Sequence, residues 1–114
     1  MKAKDSQFAF QADDLLKVQQ NSGRLYHEFL RVPDLSAGLY VLPAGGTDPQ
    51  QPHGEDEMYY IIRGKGKFSY AGQDVDVSAG SVLYVPKQVE HRFHSIEEEL
   101  QILVFFAPQE GGEP

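Results

Sequence analysis

Short segments rich in aromatic and β-branched residues recur from Arg24 to Ala107, and Gly or Pro residues separate them. The recurrence, roughly every 8–12 residues, is typical of the strands of a β-sandwich or barrel. The separating sequences have the composition of short β connections. We therefore expect an all-β domain with strands at Arg24–Val32, Leu35–Leu42, Glu57–Arg63, Lys67–Gly72, Gln73–Val77, Ser81–Pro86, His91–Ser95 and Leu100–Ala107.

Two connections within this pattern carry specific expectations. Gly64-Lys65-Gly66 has the composition of a tight turn, and no following helix supports a phosphate-binding loop. The acidic run Glu97–Glu99 is typical of a solvated loop. Before the strands, Ala12–Gln20 is expected to form a short helix that ends at Asn21-Ser22-Gly23.

The chain length of 114 residues suits one domain with one hydrophobic core. We expect an N-terminal segment with a short helix at residues 1–22, a barrel at 23–108 and a flexible tail at 109–114.

Composition argues against several functional classes. The formal net charge is −7 and the basic residues are scattered, which disfavours nucleic-acid binding. No run approaches the ~18 apolar residues of a membrane span, and the N-terminus lacks the features of a signal peptide. Cysteine is absent, so disulfides and thiolate metal sites are excluded. A cytoplasmic protein that binds neither nucleic acid nor membrane is expected.

Four potential metal ligands are arranged by strand parity. In an extended strand, Gln51, His53 and Glu57 point to the same face, whereas on a helix Gln51 and His53 would not converge. His91 can close the set from a second strand. Imidazole and carboxylate suit Fe, Mn, Ni, Co or Zn. We therefore expect one divalent metal ion in the barrel.

The spacing around these residues resembles the two sequence motifs of the cupin superfamily, G-x5-H-x-H-x3-E-x6-G and G-x5-P-x-G-x2-H-x3-N. The first match runs from Gly45 to Gly64 and the second from Gly80 to Ser95, with fifteen residues between them. The resemblance implies a small single-domain double-stranded β-helix, or jelly-roll, barrel with a short N-terminal helix.

Carried over position by position, the resemblance implies His53 and His91 as ligand histidines and Glu57 as the ligand carboxylate. Gln51 stands where the first motif has a histidine, and it either binds the metal through its amide oxygen or holds a water. Glu55 shares the parity and is a reserve ligand. The alternative is a barrel without metal that has begun to lose the site.

The second motif also departs from the family pattern, since Gln88 replaces its glycine and Ser95 its asparagine. Among other residues, Tyr59 shares parity with Glu57 and Tyr40 lies on the preceding strand, so both are candidates for the pocket. The Tyr59 hydroxyl suits an acid, a base or an orienting group, and the alternative is a core aromatic bonded to a carbonyl.

The resemblance implies a metalloenzyme that acts on a small organic acid or an oxygen-rich substrate, by dioxygenase-like or isomerase- or lyase-like chemistry. The alternatives are a non-catalytic small-ligand-binding or sensing barrel and a purely structural one. The strand Leu100–Ala107 is apolar on both faces, which predicts additional burial. A homodimer is expected to supply it, and in the alternative the N-terminal helix covers that face within one subunit.

Overall fold

Two long antiparallel strands form the centre of the structure, a computed structural model that describes residues 8–49 and 53–111. In chain order the elements are α1 (Ala12–Ser22), β1 (Tyr26–Val32), β2 (Leu35–Leu42), β3 (Asp56–Tyr70), β4 (Gln73–Ser78), β5 (Val82–Val85) and β6 (His91–Ala107). The all-β prediction with one short helix is confirmed.

Strands β3 and β6 pair along their whole length, from Asp56 opposite Ala107 to Tyr70 opposite His91. The first half of β3 also pairs with β5 and its second half with β4, while β2 lies beside the second half of β6 and β1 beside β2. Three register shifts between Ile61 and Lys67 interrupt the central pair. Such bulges bend a sheet, and here the two halves enclose one core as in a jelly roll.

The core confirms the predicted strand parity for Glu57 and Tyr59, whereas His53 lies before β3 and not on the same strand. Along β3, Glu57, Tyr59 and Ile61 are buried, whereas Met58 and Tyr60 between them are exposed. This alternation is expected of a strand with one buried face, because successive side chains point to opposite sides. The rings of Tyr59 and Phe68, which lie on either side of the bend, are 5.7 Å apart between centroids. The buried faces of the two halves therefore meet inside the barrel.

The prediction of a tight turn at Gly64-Lys65-Gly66 is wrong, because these residues continue strand β3. Gly64 adopts φ 106°, and a Cβ atom there would overlap the carbonyl oxygen of Glu99 on β6. The glycine is needed because two backbones approach closely at the bend.

The prediction of a loop at Glu97–Glu99 is also wrong, although the three side chains are exposed as expected. They lie inside β6, which joins the two strands predicted separately on either side of them. An acidic run of this kind is compatible with an exposed strand face as well as with a loop, and the sequence pattern does not distinguish the two.

Helix α1 begins at Ala12 as predicted and extends two residues further, to Ser22. It ends at Gly23, whose left-handed φ of 75° is the usual C-terminal conformation for glycine. Its Leu15 packs on Leu39 and Val41 of the outer sheet face. The helix therefore covers part of that face within one subunit. Within the described part of the chain, no helix is long and apolar enough to cross a membrane.

Candidate functional site

Glu57 and His91 are enclosed in the barrel, and their side chains are each 1% exposed. Glu57 lies near the start of β3 and His91 starts β6, and in the sheet they are paired with Phe106 and Tyr70 rather than with each other. They therefore approach across the barrel interior. His91 Nε2 lies 3.2 Å from Glu57 Oε1.

The protonation of His91 follows from its other ring nitrogen. Nδ1 lies 2.8 Å from the carbonyl oxygen of Val89, and because a carbonyl only accepts, Nδ1 carries a proton and donates it. In the neutral ring Nε2 is then an unprotonated acceptor, and it faces a carboxylate that also only accepts. Neither Glu57 oxygen nor Nε2 has a well-aligned hydrogen-bond partner among the described residues.

Two buried acceptors in contact need a cation between them, because their lone pairs otherwise repel each other in the barrel interior. A proton on Nε2 meets this need, and so does a metal ion. Two ligand atoms bound to one ion at ~2.1 Å and at right angles lie about 3.0 Å apart. The observed 3.2 Å separation fits this spacing closely. Glu57 and His91 therefore fit a divalent metal in their chemistry and in their separation.

The burial of this pair and the charge of Glu57 shift the pKa values of His91 and Tyr59. Burial lowers the pKa of His91, but the adjacent Glu57 carboxylate and the Val89 carbonyl raise it more, so the net shift is upward. Burial raises the pKa of Tyr59 well above its usual value, and the charge of Glu57 adds to that shift. Tyr59 is fully buried beside this carboxylate and keeps its phenolic proton.

His53 lies near this pair, but its ring is turned towards other carboxylates. Its centroid is 6.2 Å from that of His91, and its edge packs on Phe106. Its Nδ1 lies 3.8 Å from Glu110 Oε2 and 4.0 Å from Glu55 Oε1. His53 is thus positioned between the buried pair and an acidic rim.

The structure does not bring the predicted ligands into one complete set. Within residues 8–49 and 53–111, no group of three His, Cys, Asp or Glu side chains has metal-ligating geometry. Gln51 lies outside the described residues. The reserve ligand Glu55 is buried, and its Oε2 accepts a hydrogen bond from the Gly111 N–H at 3.0 Å. The four-residue ligand assignment stays a prediction, of which Glu57 and His91 are in contact.

The backbone of His53 is held by the residue that departs from the second motif. Gln88 adopts φ 65°, the left-handed conformation that favours glycine, and its N–H donates to the His53 carbonyl at 2.7 Å. The glycine of the motif is therefore explained by backbone geometry, and Gln88 adopts the same geometry at a steric cost.

Sequence reasoning missed Asp48, a buried carboxylate that supports the pocket wall. Its Oδ1 accepts a hydrogen bond from the Tyr40 hydroxyl at 2.5 Å, and its Oδ2 accepts one from the Phe93 N–H at 2.9 Å. Burial raises the pKa of Tyr40, and Asp48 raises it further. Asp48 thereby ties the loop that precedes His53 to the start of β6. No residue pattern marks it, because Tyr40 lies eight residues away and Phe93 lies 45 residues away in sequence.

A cavity of about 250 Å³ lies beside these residues. Tyr40, one of the two predicted pocket tyrosines, lines it, whereas Tyr59 lies in the core behind. Its wall is mainly aromatic and aliphatic, and it consists of Tyr26, Tyr40, Pro49, His53, Val104, Phe106 and Glu110.

Glu110 belongs to the segment predicted as a flexible tail, yet it is held against the barrel. Its N–H donates to Ser36 Oγ, and its carbonyl accepts from Arg31, both at 2.8 Å. Burial raises the pKa of Glu110, and the nearby carboxylates Glu55 and Glu57 add to the shift. Glu110 thus belongs to the site, although nothing in the sequence pattern indicates it.

Comparison with known proteins gives a consistent family match. A family model described as the cupin domain matches residues 38–106. An uncharacterized protein of Streptomyces coelicolor is 42% identical over 102 residues, which cover 90% of this chain and 97% of the relative. The oxalate-binding protein of Thermotoga maritima is 31% identical over 75 residues, or 66% of this chain and 54% of that protein. The acireductone dioxygenase of Bacillus cytotoxicus is 24% identical over 97 residues, or 81% and 56%.

The matches to the latter two proteins span only a little over half of their lengths. Among solved structures, an RmlC-like cupin with a double-stranded β-helix fold from Methanocaldococcus jannaschii aligns with a TM-score of 0.67 and 22% identity. The alignment covers 73% of this chain and 78% of that one. At this sequence identity the similarity supports the fold alone and gives no evidence about activity.

We predict that Asp48→Ala lowers the free energy of unfolding by about 2–4 kcal/mol, because two buried donors lose their acceptor. Tyr40→Phe removes one of these bonds and leaves the other, so it is expected to cost about 1–2 kcal/mol. Chemical denaturation measures both. Asp76→Ala, which removes an exposed carboxylate, is the control. A loss for Asp48→Ala no larger than that of the control would contradict the role of Asp48.

We also predict that His91 in the metal-free protein titrates above pH 6.5, the ordinary value. Because the folded pKa is raised, the protonated pair stabilises the fold below pH 6.5, and this contribution is lost as pH rises through the raised pKa. Glu57→Gln leaves the ring buried without its carboxylate, so the pKa is expected to fall. Ring-proton NMR titration measures both values. A wild-type value at or below 6.5 would exclude the proposed pairing.

Proposed function

This chain belongs to the cupin domain family, and on that premise we propose that it is a metal-dependent enzyme for a small molecule. One divalent ion is held by Glu57, His91 and His53, and Gln51 supplies a further donor. The observation that carries the proposal is the contact of two buried acceptors, Glu57 Oε1 and His91 Nε2, 3.2 Å apart.

Support for the ligand set comes from the chemistry of its members. Two imidazoles and one carboxylate form a donor set that leaves positions open for a substrate, and they suit Fe, Mn, Ni, Co or Zn. The Nδ1–H of His91 donates to the Val89 carbonyl, the kind of contact that orients a ligand histidine. His53 is 21% exposed at its side chain, and its ring centroid lies 6.2 Å from that of His91.

In such a site the metal, when bound, polarises a substrate oxygen and lowers the pKa of bound water. Tyr59 holds its proton beside Glu57 because burial and the carboxylate disfavour the phenolate. Tyr40 holds its proton against Asp48 and presents its ring to the cavity. Aliphatic and aromatic walls such as Val104 and Phe106 exclude water from the inner end.

The proposed substrate is a small molecule that presents an oxygen to the inner end of the cavity. Its size follows from the volume of about 250 Å³. The relative named acireductone dioxygenase supports dioxygenase-like chemistry on such a molecule. Isomerase- or lyase-like chemistry uses the same stabilisation of an anionic oxygen.

A second candidate is a binding protein without turnover. The relative named oxalate-binding protein favours it, since that match has the higher identity of the two, 31% over 75 residues. In this case Glu57, His91 and the metal serve to fix the ligand, and no group of the pocket needs to exchange a proton with it.

We expect the chain, produced without an affinity tag and stripped by a chelator, to bind about one equivalent of Fe(II), Mn(II), Ni(II), Co(II) or Zn(II). His91→Ala and Glu57→Gln each abolish binding, because each removes a buried donor. Gln51→Ala weakens metal affinity by at most about 10–100-fold, and Gln51→His increases it. Calorimetry and elemental analysis measure these changes.

His94→Ala is the matched control, because His94 is partly exposed and bonded to Asp74 at 2.8 Å, away from the pair. It is expected to leave metal affinity unchanged. Occupancy below about a tenth of an equivalent after loading with every ion would rule out a metal site. In the loaded protein, oxygen uptake or product formation with enolisable acids and phenols indicates an enzyme, and binding without turnover indicates the second candidate.

Leu103 of the strand Leu100–Ala107, from which the sequence predicts a dimer, packs in the cluster that contains Leu15 of α1. We propose further that two copies of the chain associate through a different surface, the outer face of β5 and β3. Met58, Tyr60, Val82 and Tyr84 are between 41% and 58% exposed. Met58 pairs with Tyr84 and Tyr60 with Val82, so the four side chains form one apolar patch. Helix α1 packs on β1 and β2 instead. A second copy presents an identical patch, so a two-fold pairing covers both at once.

Sedimentation velocity is expected to give a mass twice the 12.8 kDa of one chain. Tyr84→Lys places a charge in the patch and is expected to shift the equilibrium to the monomer. Val75→Lys, on an exposed position of β4, is the control and is expected to leave the mass unchanged. A monomeric wild-type protein at about 100 μM, well above a micromolar dissociation constant, would contradict the pairing.

A further inference from the structure

We propose that the cavity selects a small molecule with a positively charged amine, whose apolar body lies between Tyr26 and Phe106 and whose ammonium group faces Glu110. The inference deepens the proposed function, since it rests on this cavity being the ligand site. It assigns Glu110 as a specificity-determining residue. The oxygen that faces the metal belongs to the inner end of the same molecule.

The charges at the outer end of the cavity are those of carboxylates. Glu110 lines the wall and is about one third exposed at its side chain. Glu55 lies near it, since the same His53 nitrogen, Nδ1, is 3.8 Å from Glu110 Oε2 and 4.0 Å from Glu55 Oε1. None of the described residues that line the cavity is Lys or Arg. The carboxylates at this end therefore repel an anionic group of a ligand and attract a cationic one.

The nearest guanidinium does not reverse this balance. Arg31 donates to Glu28 Oε2 and to the backbone carbonyl of Glu110, each at 2.8 Å. The charge of Arg31 is thus paired with the Glu28 carboxylate, and Arg31 does not line the cavity. The Glu110 carboxylate itself remains directed towards His53 and the cavity.

Two buried oxygens provide an independent indication that a ligand with hydrogen-bond donors belongs here. The hydroxyl of Tyr26, on the cavity wall, has no hydrogen-bond partner among the described residues. Oε1 of Glu55, whose side chain is 9% exposed, also has none within that part of the chain. Buried polar atoms are ordinarily bonded, and an ammonium group offers three donors.

The walls suit the rest of such a molecule. The Tyr26 ring lies directly over Gly38 of β2, where a Cβ atom would overlap it, and this keeps the ring against the sheet. Tyr40 packs edge-on to Tyr26, with 6.1 Å between the ring centroids. Aromatic faces attract cations as well as apolar groups, so these rings favour an amine over an acid.

The test uses three probes of nearly equal shape, benzylamine, benzyl alcohol and benzoate, which are positive, neutral and negative at pH 7. Chemical-shift titration of metal-free wild-type protein is expected to show binding at Tyr26 and Phe106. Benzylamine is expected to bind about tenfold more tightly than benzyl alcohol, and benzoate most weakly, because one nearby carboxylate attracts the first and repels the third.

Glu110→Gln is expected to weaken benzylamine binding about tenfold and to leave benzyl alcohol within about twofold, because shape is kept and charge is removed. Glu97→Gln makes the same chemical change at an exposed position of β6 and is expected to alter nothing. Benzoate binding as tight as that of benzylamine, an unchanged order in Glu110→Gln, or no binding of any probe in the cavity would overturn the inference. Since the protein is metal-free, these outcomes are independent of whether the metal proposal holds.

Discussion

The contact between Glu57 and His91 is the constraint on which the site depends. The Nδ1–H of His91 donates to the Val89 carbonyl, so in the neutral ring Nε2 is an acceptor. This nitrogen faces the buried Glu57 carboxylate, which is also an acceptor. Such an arrangement is stable only with a cation between the two groups. A proton supplies it in the metal-free protein, and this is why the pKa of His91 is raised. In the proposed metal site a divalent ion takes the place of that proton, so we expect metal binding and protonation to compete for the same position.

The fold produces this contact through the bend in its central pair of strands. Glu57 and His91 lie at opposite ends of the β3–β6 pair. They come into contact only because the register shifts near Gly64 fold the two halves of that pair together. The same bend brings Tyr59 against Phe68. Asp48 then fixes the loop before His53 to β2 through the Tyr40 hydroxyl and to β6 through the Phe93 N–H. Close backbone packing at Gly64 is therefore linked to the chemistry of the site.

Strand parity and motif spacing were sufficient to predict the barrel and the inward direction of Glu57 and Tyr59, because both depend on local alternation. They were insufficient at Gly64 and Glu97–Glu99, where a bent strand and a turn share the same composition. Asp48 and Glu110 were missed because their partners lie far away in sequence. Burial and long-range hydrogen bonds decide their roles, and no short pattern carries that information.

The metal site is tested most directly by the crystal structure of the Co(II)- or Zn(II)-loaded protein, with anomalous scattering recorded at the metal edge. We predict one anomalous peak between Glu57 and His91, within about 2.0–2.2 Å of a Glu57 oxygen and of His91 Nε2, with a His53 nitrogen also bound. A peak at the acidic rim of Glu55 and Glu110, or no peak within the barrel, would contradict it.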